Sequence, residues 1–273
     1  MTMPSLFVSH GAPTLAIQDG AARRFLQNLG AKIDKPRAIL MMSAHHDSRG
    51  RGAIISKSTD HNAVHDFGGF PKELYELSYS APGFPELAHE VIKALKQNSF
   101  DIFEDPSEGM DHGAWVPLLL MYPHADIPVI RISIDVTRSP ERHFRLGETL
   151  QEFRERGVLI MGSGSITHNL QEFFQGGYRY GDPAPIWVTS FADWLAKEIK
   201  QGNKSAVLKA VSKGPNGRRN HPSMDHILPL FFAMGAGGNK APGLRLHKST
   251  TYGVLSMDMY GFGESNFLND LMV

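Results

Sequence analysis

The chain of 273 residues contains no cysteine. That absence excludes a disulfide framework, a thiolate metal site and a cysteine nucleophile. An excess of either charge is also missing, since 28 Lys and Arg stand against 28 Asp and Glu. A formal net charge of zero supplies no overall field to draw in nucleic acid or anionic lipid, so neither is expected as a partner. No apolar run approaches the ~20 residues that a membrane-spanning helix needs. The stretch Met1–His10 lacks the basic start and long apolar core of a secretory signal, which makes a cytoplasmic protein the expectation. What the chain does have is a 41% share of hydrophobic residues, enough for a folded core, and 13 histidines. Any chemistry must run through nitrogen and oxygen ligands, and histidine is the main supply.

Short apolar runs alternate with amphipathic stretches along the whole chain, with no repeat and no low-complexity segment. Ser5–Val8, Ala38–Met42, Ala53–Ser56, Ile127–Ile134, Val158–Met161, Leu244–Leu246 and Val254–Met257 read as strands. Pro85–Gln97 places Leu87, Val91 and Leu95 on one helical face. Ser139–Arg156 reads as a helix opened by Ser-Pro-Glu and stopped at Gly157; Ile186–Lys200 and Pro222–Met234 are further helices, and Val116–Tyr122 is helix-like. Thr59–Pro71, Tyr178–Pro185 and Lys213–Asn220 are irregular. This alternation predicts an α/β fold with a mainly parallel sheet covered by helices on both faces. With no linker-like segment, residues 1–273 are expected to form a single domain with long loops.

Three of the expected strands run into a histidine among small residues: Ser9-His10-Gly11, Ser43-Ala44-His45-His46, and Gly162-Ser163-Gly164-Ser165-Ile166-Thr167-His168. Ligands gather outside the carboxyl ends of parallel strands, because the connecting loops converge there. His45 is preferred over His46, since neighbours on an extended segment point to opposite faces. Asp66 is placed to orient His65 in the loop Val64–Pro71. Asp111 precedes His112 at an expected helix N-terminus, where the dipole favours a neutral imidazole. His221-Pro222-Ser223-Met224-Asp225-His226 offers two further ligand candidates, Asp225 and His226. His61, His89, His124, His143 and His247 read as structural or surface residues.

Rival motifs are incomplete. Gly162-Ser163-Gly164 lacks the third glycine of a dinucleotide loop; no Walker sequence, Gly-x-Ser-x-Gly elbow or His-Glu-x-x-His occurs. Lys213 and Gly217-Arg218-Arg219 form a small basic patch, read as a solvated loop with a second use in binding a carboxylate.

Taken in order, Ser9-His10-Gly11, Ser43-Ala44-His45, His65-Asp66-Phe67-Gly68-Gly69-Phe70-Pro71, Asp111-His112-Gly113-Ala114-Trp115, His168-Asn169-Leu170 and His221–Pro229 resemble the class III extradiol ring-cleaving dioxygenases, in particular the DOPA 4,5-dioxygenase branch. The resemblance spans residue 5 to about residue 260. It implies a mononuclear non-haem metal site of His10, His45 and His226, with Asp225 as the fallback ligand in place of His226. It implies His168 as an acid/base residue, or as a fourth ligand with zinc bound. His112 is assigned to hydrogen-bond O2 or a substrate hydroxyl, and His65 to line the pocket. Fe(II) is expected for activity, although Zn(II) also suits three imidazoles. Substrates would be a catechol and O2, and a homo-oligomer is compatible with this reading. Two rivals use the same histidines: a zinc hydrolase and a non-catalytic metal-binding member of the superfamily.

Overall fold

The short apolar runs become a central sheet. In the computed structural model, which describes residues 2–238 and 242–272, its strands are β1 (Ser5–Ser9), β2 (Ala38–Asp47), β3 (Ala53–Ser56), β4 (Ile102–Asp105), β5 (Val129–Ile134), β6 (Val158–Gly164), β7 (Leu244–His247) and β8 (Met259–Phe262). They are ordered β7-β8-β1-β6-β2-β5-β3-β4. The centre β1-β6-β2-β5 is parallel throughout. Antiparallel pairing begins at β8 on one side and at β3 on the other.

Both faces of the centre are buried, which is why these strands read as continuous apolar runs. Leu6, Val8, Ile39, Met41, Leu159 and Met161 pack on one side against α1 (Ala21–Lys32) and α3 (His112–Met121). Phe7, Leu40, Met42, Val158 and Ile160 face α2 (Pro85–Gln97), α4 (Pro140–Thr149), α5 (Ile186–Lys200) and α6 (Leu228–Gly237). In α2 the residues Leu87, Val91 and Leu95 are fully buried, as their spacing predicts. The expected α/β architecture, a mainly parallel sheet between two helical layers, is the one observed.

Several boundaries differ from expectation. The helix expected over Ser139–Arg156 stops at Thr149, and Gln151–Arg156 tightens into a 3-10 turn that still buries Leu150 and Phe153 before Gly157 (φ 77°) turns the chain into β6. The helix expected from Pro222 begins only at Leu228. Asp225 takes hydrogen bonds from Ser223 and His226, a local arrangement that competes with helix formation. Val254–Met257 contributes only a short hairpin strand, Leu255–Ser256, paired with Thr250–Thr251 outside the main sheet. Among the elements not anticipated are α1, the edge strand β4, and β8, which sits between β7 and β1, together with the short helices Leu170–Gly176 and Ser265–Leu271. A small sheet of Asp60–Ala63, Ser80–Pro82 and Gly109–Met110 also orders part of the loop expected to be irregular.

Candidate metal centre

Strand register sets the floor of the site. Ser9 lies beside Gly164, and Ser43 beside Ser163, so β1, β2 and β6 end at one level. His10 follows β1 directly, and its N–H donates to the Gly164 carbonyl (3.1 Å). β2 slips register against β5 between Ser43 and Asp47, an irregularity of the kind that re-aims side chains. His45, with its N–H on Ser43 Oγ (3.2 Å), faces the cavity while His46 faces away. Two glycines allow the remaining parts to close in. A Cβ on Gly113 would lie 2.4 Å from Ser43 Oγ, so only glycine lets the start of α3 dock on β2 here. A Cβ on Gly164 would lie 2.1 Å from the His226 carbonyl, and this gap admits the turn that carries His226.

Five imidazoles meet at this point. Ring centroids of His10, His45 and His226 form a nearly equilateral triangle, with sides of 5.1, 5.0 and 5.3 Å. His45 Nε2 stands 3.2 Å from His10 Nε2. His112 sits against His45 (4.1 Å) and farther from His10 (5.5 Å). Ligand atoms of His10, His45 and His112 lie within 4.8 Å of one another, and the same holds for His168, Asp225 and His226. His168 stacks face to face on His226, centroids 3.5 Å apart and planes 7° from parallel.

Hydrogen bonds fix which nitrogen three of the rings present. Ser163 Oγ donates to the Gly113 carbonyl (2.5 Å), so it accepts from His10 Nδ1 (2.9 Å) and leaves the His10 Nε2 lone pair free. His226 Nδ1 donates to Asp225 Oδ2 (2.9 Å), and Ser223 holds the other carboxylate oxygen (2.6 Å). His112 Nδ1 and its backbone N–H both donate to Asp66 Oδ1 (2.9 and 3.0 Å). Carboxylate–histidine pairs of this kind orient metal ligands and raise their basicity.

Charge follows the same logic. Burial, then the neighbouring imidazoles beginning with His45, pushes His10 well below its ordinary value. His45 opens onto the cavity, yet the crowd of rings desolvates it; that desolvation, then His112 and His226, lowers it to about 3. His168 is lowered strongly by burial and then by His226. These three rings are therefore neutral near pH 7, with lone pairs available. Burial opposes the charge of Asp225, but the hydrogen bonds from His226 and Ser223 and the imidazoles of His226 and His168 together outweigh it and hold the carboxylate well below its usual range. The donor set is all nitrogen and convergent, which fits a borderline divalent ion such as Fe(II) or Zn(II).

A cavity of about 520 Å³ opens above the cluster. His45, His112, His168 and His226 form its floor, and Phe67, Phe70, Phe173 and Phe174 stand in its walls. His65 is not brought to this cavity. Its Nε2 bonds the Leu77 carbonyl (3.1 Å), and its ring is held among Phe67, Tyr75 and Trp115, one layer behind the wall. Asp66, expected to orient His65, orients His112 instead. His221 is buried, with Nε2 on the Ile166 carbonyl (2.7 Å). In the basic patch, Arg219 pairs with Glu172 (2.7 Å) and lies over the Trp187 ring. Ser163 and the Asp66–His112 pair were not anticipated: their partners lie far apart in the chain, and only the sheet register joins them.

Comparison with known proteins agrees with this geometry. Residues 4–263 match the family model described as the catalytic LigB subunit of aromatic ring-opening dioxygenase. The chain is 38% identical over 262 residues to a 4,5-DOPA dioxygenase extradiol of Beta vulgaris, covering 94% of this chain and 96% of that one. It is 35% identical over 243 residues to a 4,5-DOPA dioxygenase extradiol of Escherichia coli (strain K12), covering 88% and 87%. The crystal structure of uncharacterized protein JW3007 from Escherichia coli K12 superimposes with a TM-score of 0.77 at 29% identity, covering 96% of this chain and all of that one. With nearly the whole chain inside the match, this protein belongs to the LigB family of aromatic ring-opening dioxygenases.

Proposed function

We propose that the protein is an extradiol dioxygenase that opens a catechol ring next to its two hydroxyls, using one non-haem ion held by His10, His45 and His226, with the whole chain serving as a single catalytic domain. Fe(II) is the active ion in this reading, and Zn(II) is its competitor for the same imidazoles. The observation that carries it is the triangle of ring centroids, 5.0–5.3 Å on each side. The His10 and His45 Nε2 atoms, 3.2 Å apart, stand close enough together for one ion to be shared between them. His112 departs from that pattern, and both oxygens of Asp225 are already hydrogen-bonded, which supports His226 as the third ligand. The names of the relatives, 4,5-DOPA dioxygenase extradiol, support a catechol as the substrate class.

When bound, the ion supplies Lewis acidity toward the two catechol oxygens and, as Fe(II), electrons for O2. The protein's own residues handle protons and position. Two near-parallel rings 3.5 Å apart cannot both aim an in-plane lone pair at one ion, so the stacking favours His168 as a neutral proton acceptor over a fourth ligand. His112, with Nδ1–H on Asp66, presents Nε2 to a substrate hydroxyl, and the carboxylate stabilises the imidazolium that forms on proton transfer. Phe67 and Phe70 keep water from the ring, while His65 buttresses Phe67 from behind. Anaerobic loading with Fe(II), followed by catechols in air, tests the reading. The expected result is O2 uptake in step with a yellow semialdehyde, both oxygen atoms ending in the opened product. Ester turnover by the zinc-loaded protein with no O2 uptake from any catechol would replace it with a hydrolase.

A further inference from the structure

The cavity has an unusual composition for a site whose relatives are named after an amino-acid substrate. Among the described residues, no Lys, Arg, Asp or Glu lines it. Its walls are Phe67, Phe70, Leu170, Phe173, Phe174 and Leu255. Tyr252 also reaches it, but the phenol oxygen is already engaged with Gln18 Oε1 (3.1 Å) and Thr14 Oγ1 (3.3 Å). Among the described residues, Asp66 is paired with His112, Asp225 with His226 and Ser223, and Arg219 with Glu172. Neither Lys213 nor Arg218 is in the lining.

An ammonium or carboxylate entering such a cavity loses water and gains no partner, which is costly. Apolar surface gains instead. The volume, about 520 Å³, lies within the range of sites that enclose drug-sized ligands, so a bare catechol would leave much of it unfilled. The apolar wall also continues outward. Phe174 is 75% exposed and Leu170 47% exposed at the mouth, and exposed apolar surface joined to a pocket marks a place where ligand is covered.

Building on the dioxygenase reading, we propose that the preferred substrate is a catechol bearing an uncharged alkyl or aryl substituent, and that the Phe67–Phe70 and Phe173–Phe174 walls select it over a zwitterionic side chain. The ring's hydroxyls face the histidine floor, and the substituent runs between these walls toward Phe174. No group on the protein is reserved for an amino-acid head.

Equilibrium dialysis of the Fe(II)-loaded protein under strict anaerobiosis, where no ring is opened, separates binding from chemistry. Bound 4-butylcatechol and 4-phenylcatechol are compared with DOPA, and O2 uptake is then measured in air for each. At least tenfold tighter binding of the two apolar catechols is expected. Phe174→Arg, at an exposed position that tolerates charge, should shift the preference toward DOPA several-fold. Equal or tighter binding of DOPA to the unaltered protein would overturn the proposal, as would an unchanged preference in Phe174→Arg. The two readings fail separately. Tight apolar binding with no O2 uptake removes the dioxygenase and leaves the pocket preference, whereas DOPA bound most tightly and cleaved does the reverse.

Discussion

His45 and His46 are neighbours on β2, and each belongs to a different cluster of desolvated histidines. His45 joins His10, His112, His168 and His226 under the cavity. His46 lies on the other side, near His61, Arg131 and Asp105, where burial foremost lowers both histidines to about 4. His45 and His46 are both neutral imidazoles near pH 7. Their difference lies in what the second nitrogen does. Around the cavity, Ser163, Asp225 and Asp66 each hold an Nδ1, so Nε2 is aimed inward. In the His46 cluster the Nδ1 atoms of His46 and His61 are buried without a hydrogen-bond partner, and the charge of Arg131 is spent on Asp105 and Ser107. Desolvation makes an imidazole a ligand only where its orientation is fixed and a cavity admits the ion.

That contrast can be broken in several ways. His226→Ala or His10→Ala should lower catechol cleavage by a thousandfold or more, since both the ion and its acidity are lost. Metal analysis should show the ion gone in these variants and retained in His46→Ala; equal loss in all three would erase the distinction. His168→Ala should keep the metal yet slow ring opening by about a hundredfold to ten-thousandfold, the range of general acid–base catalysis. Metal loss there would recast His168 as a ligand. Asp225→Asn should weaken metal affinity by about tenfold to a hundredfold, as titration against a competing chelator would measure.

The pH response sharpens the other half. His61 has a folded value of about 4 against an unfolded value near 6.5. Between these limits the unfolded chain binds more protons, so stability is full above about pH 6.5 and falls as the pH drops toward 4. Thermal melts across that window should show a declining Tm, with a shallower decline in His61→Asn. The smallest effect is expected from His46→Ala itself, whose folding stability should change by about 0.5–3 kcal/mol with cleavage nearly intact.

The sequence carried the two-faced core of β1, β2, β5 and β6 because strands buried on both sides read as unbroken apolar runs. The edge strand β4, Ile102-Phe103-Glu104-Asp105, could not be read that way, since half its positions face solvent. β8 was hidden by brevity and by Gly261. The histidines at strand ends were legible for a physical reason, because loops after parallel strands converge. Their partners were not. Asp66 and His112 are 46 residues apart, and no local pattern tells Asp66 to serve His112 and not the adjacent His65. Asp225 was visible as a possible ligand, but its role depends on Ser223 taking its other oxygen, which is a matter of turn geometry.

The placement of the proposed ligands has a consequence for how the protein assembles. His10 and His45 come from the first strands, and His226 arrives on a turn just before α6. No fragment holding only part of the sheet can present the full triangle. An ion bound there joins the beginning of the chain to its last third and stabilises only the completed fold. Metal occupancy in a freshly purified sample therefore sets a lower limit on the fraction of correctly folded molecules, and a chelator should lower the melting temperature of the whole domain, not only its activity.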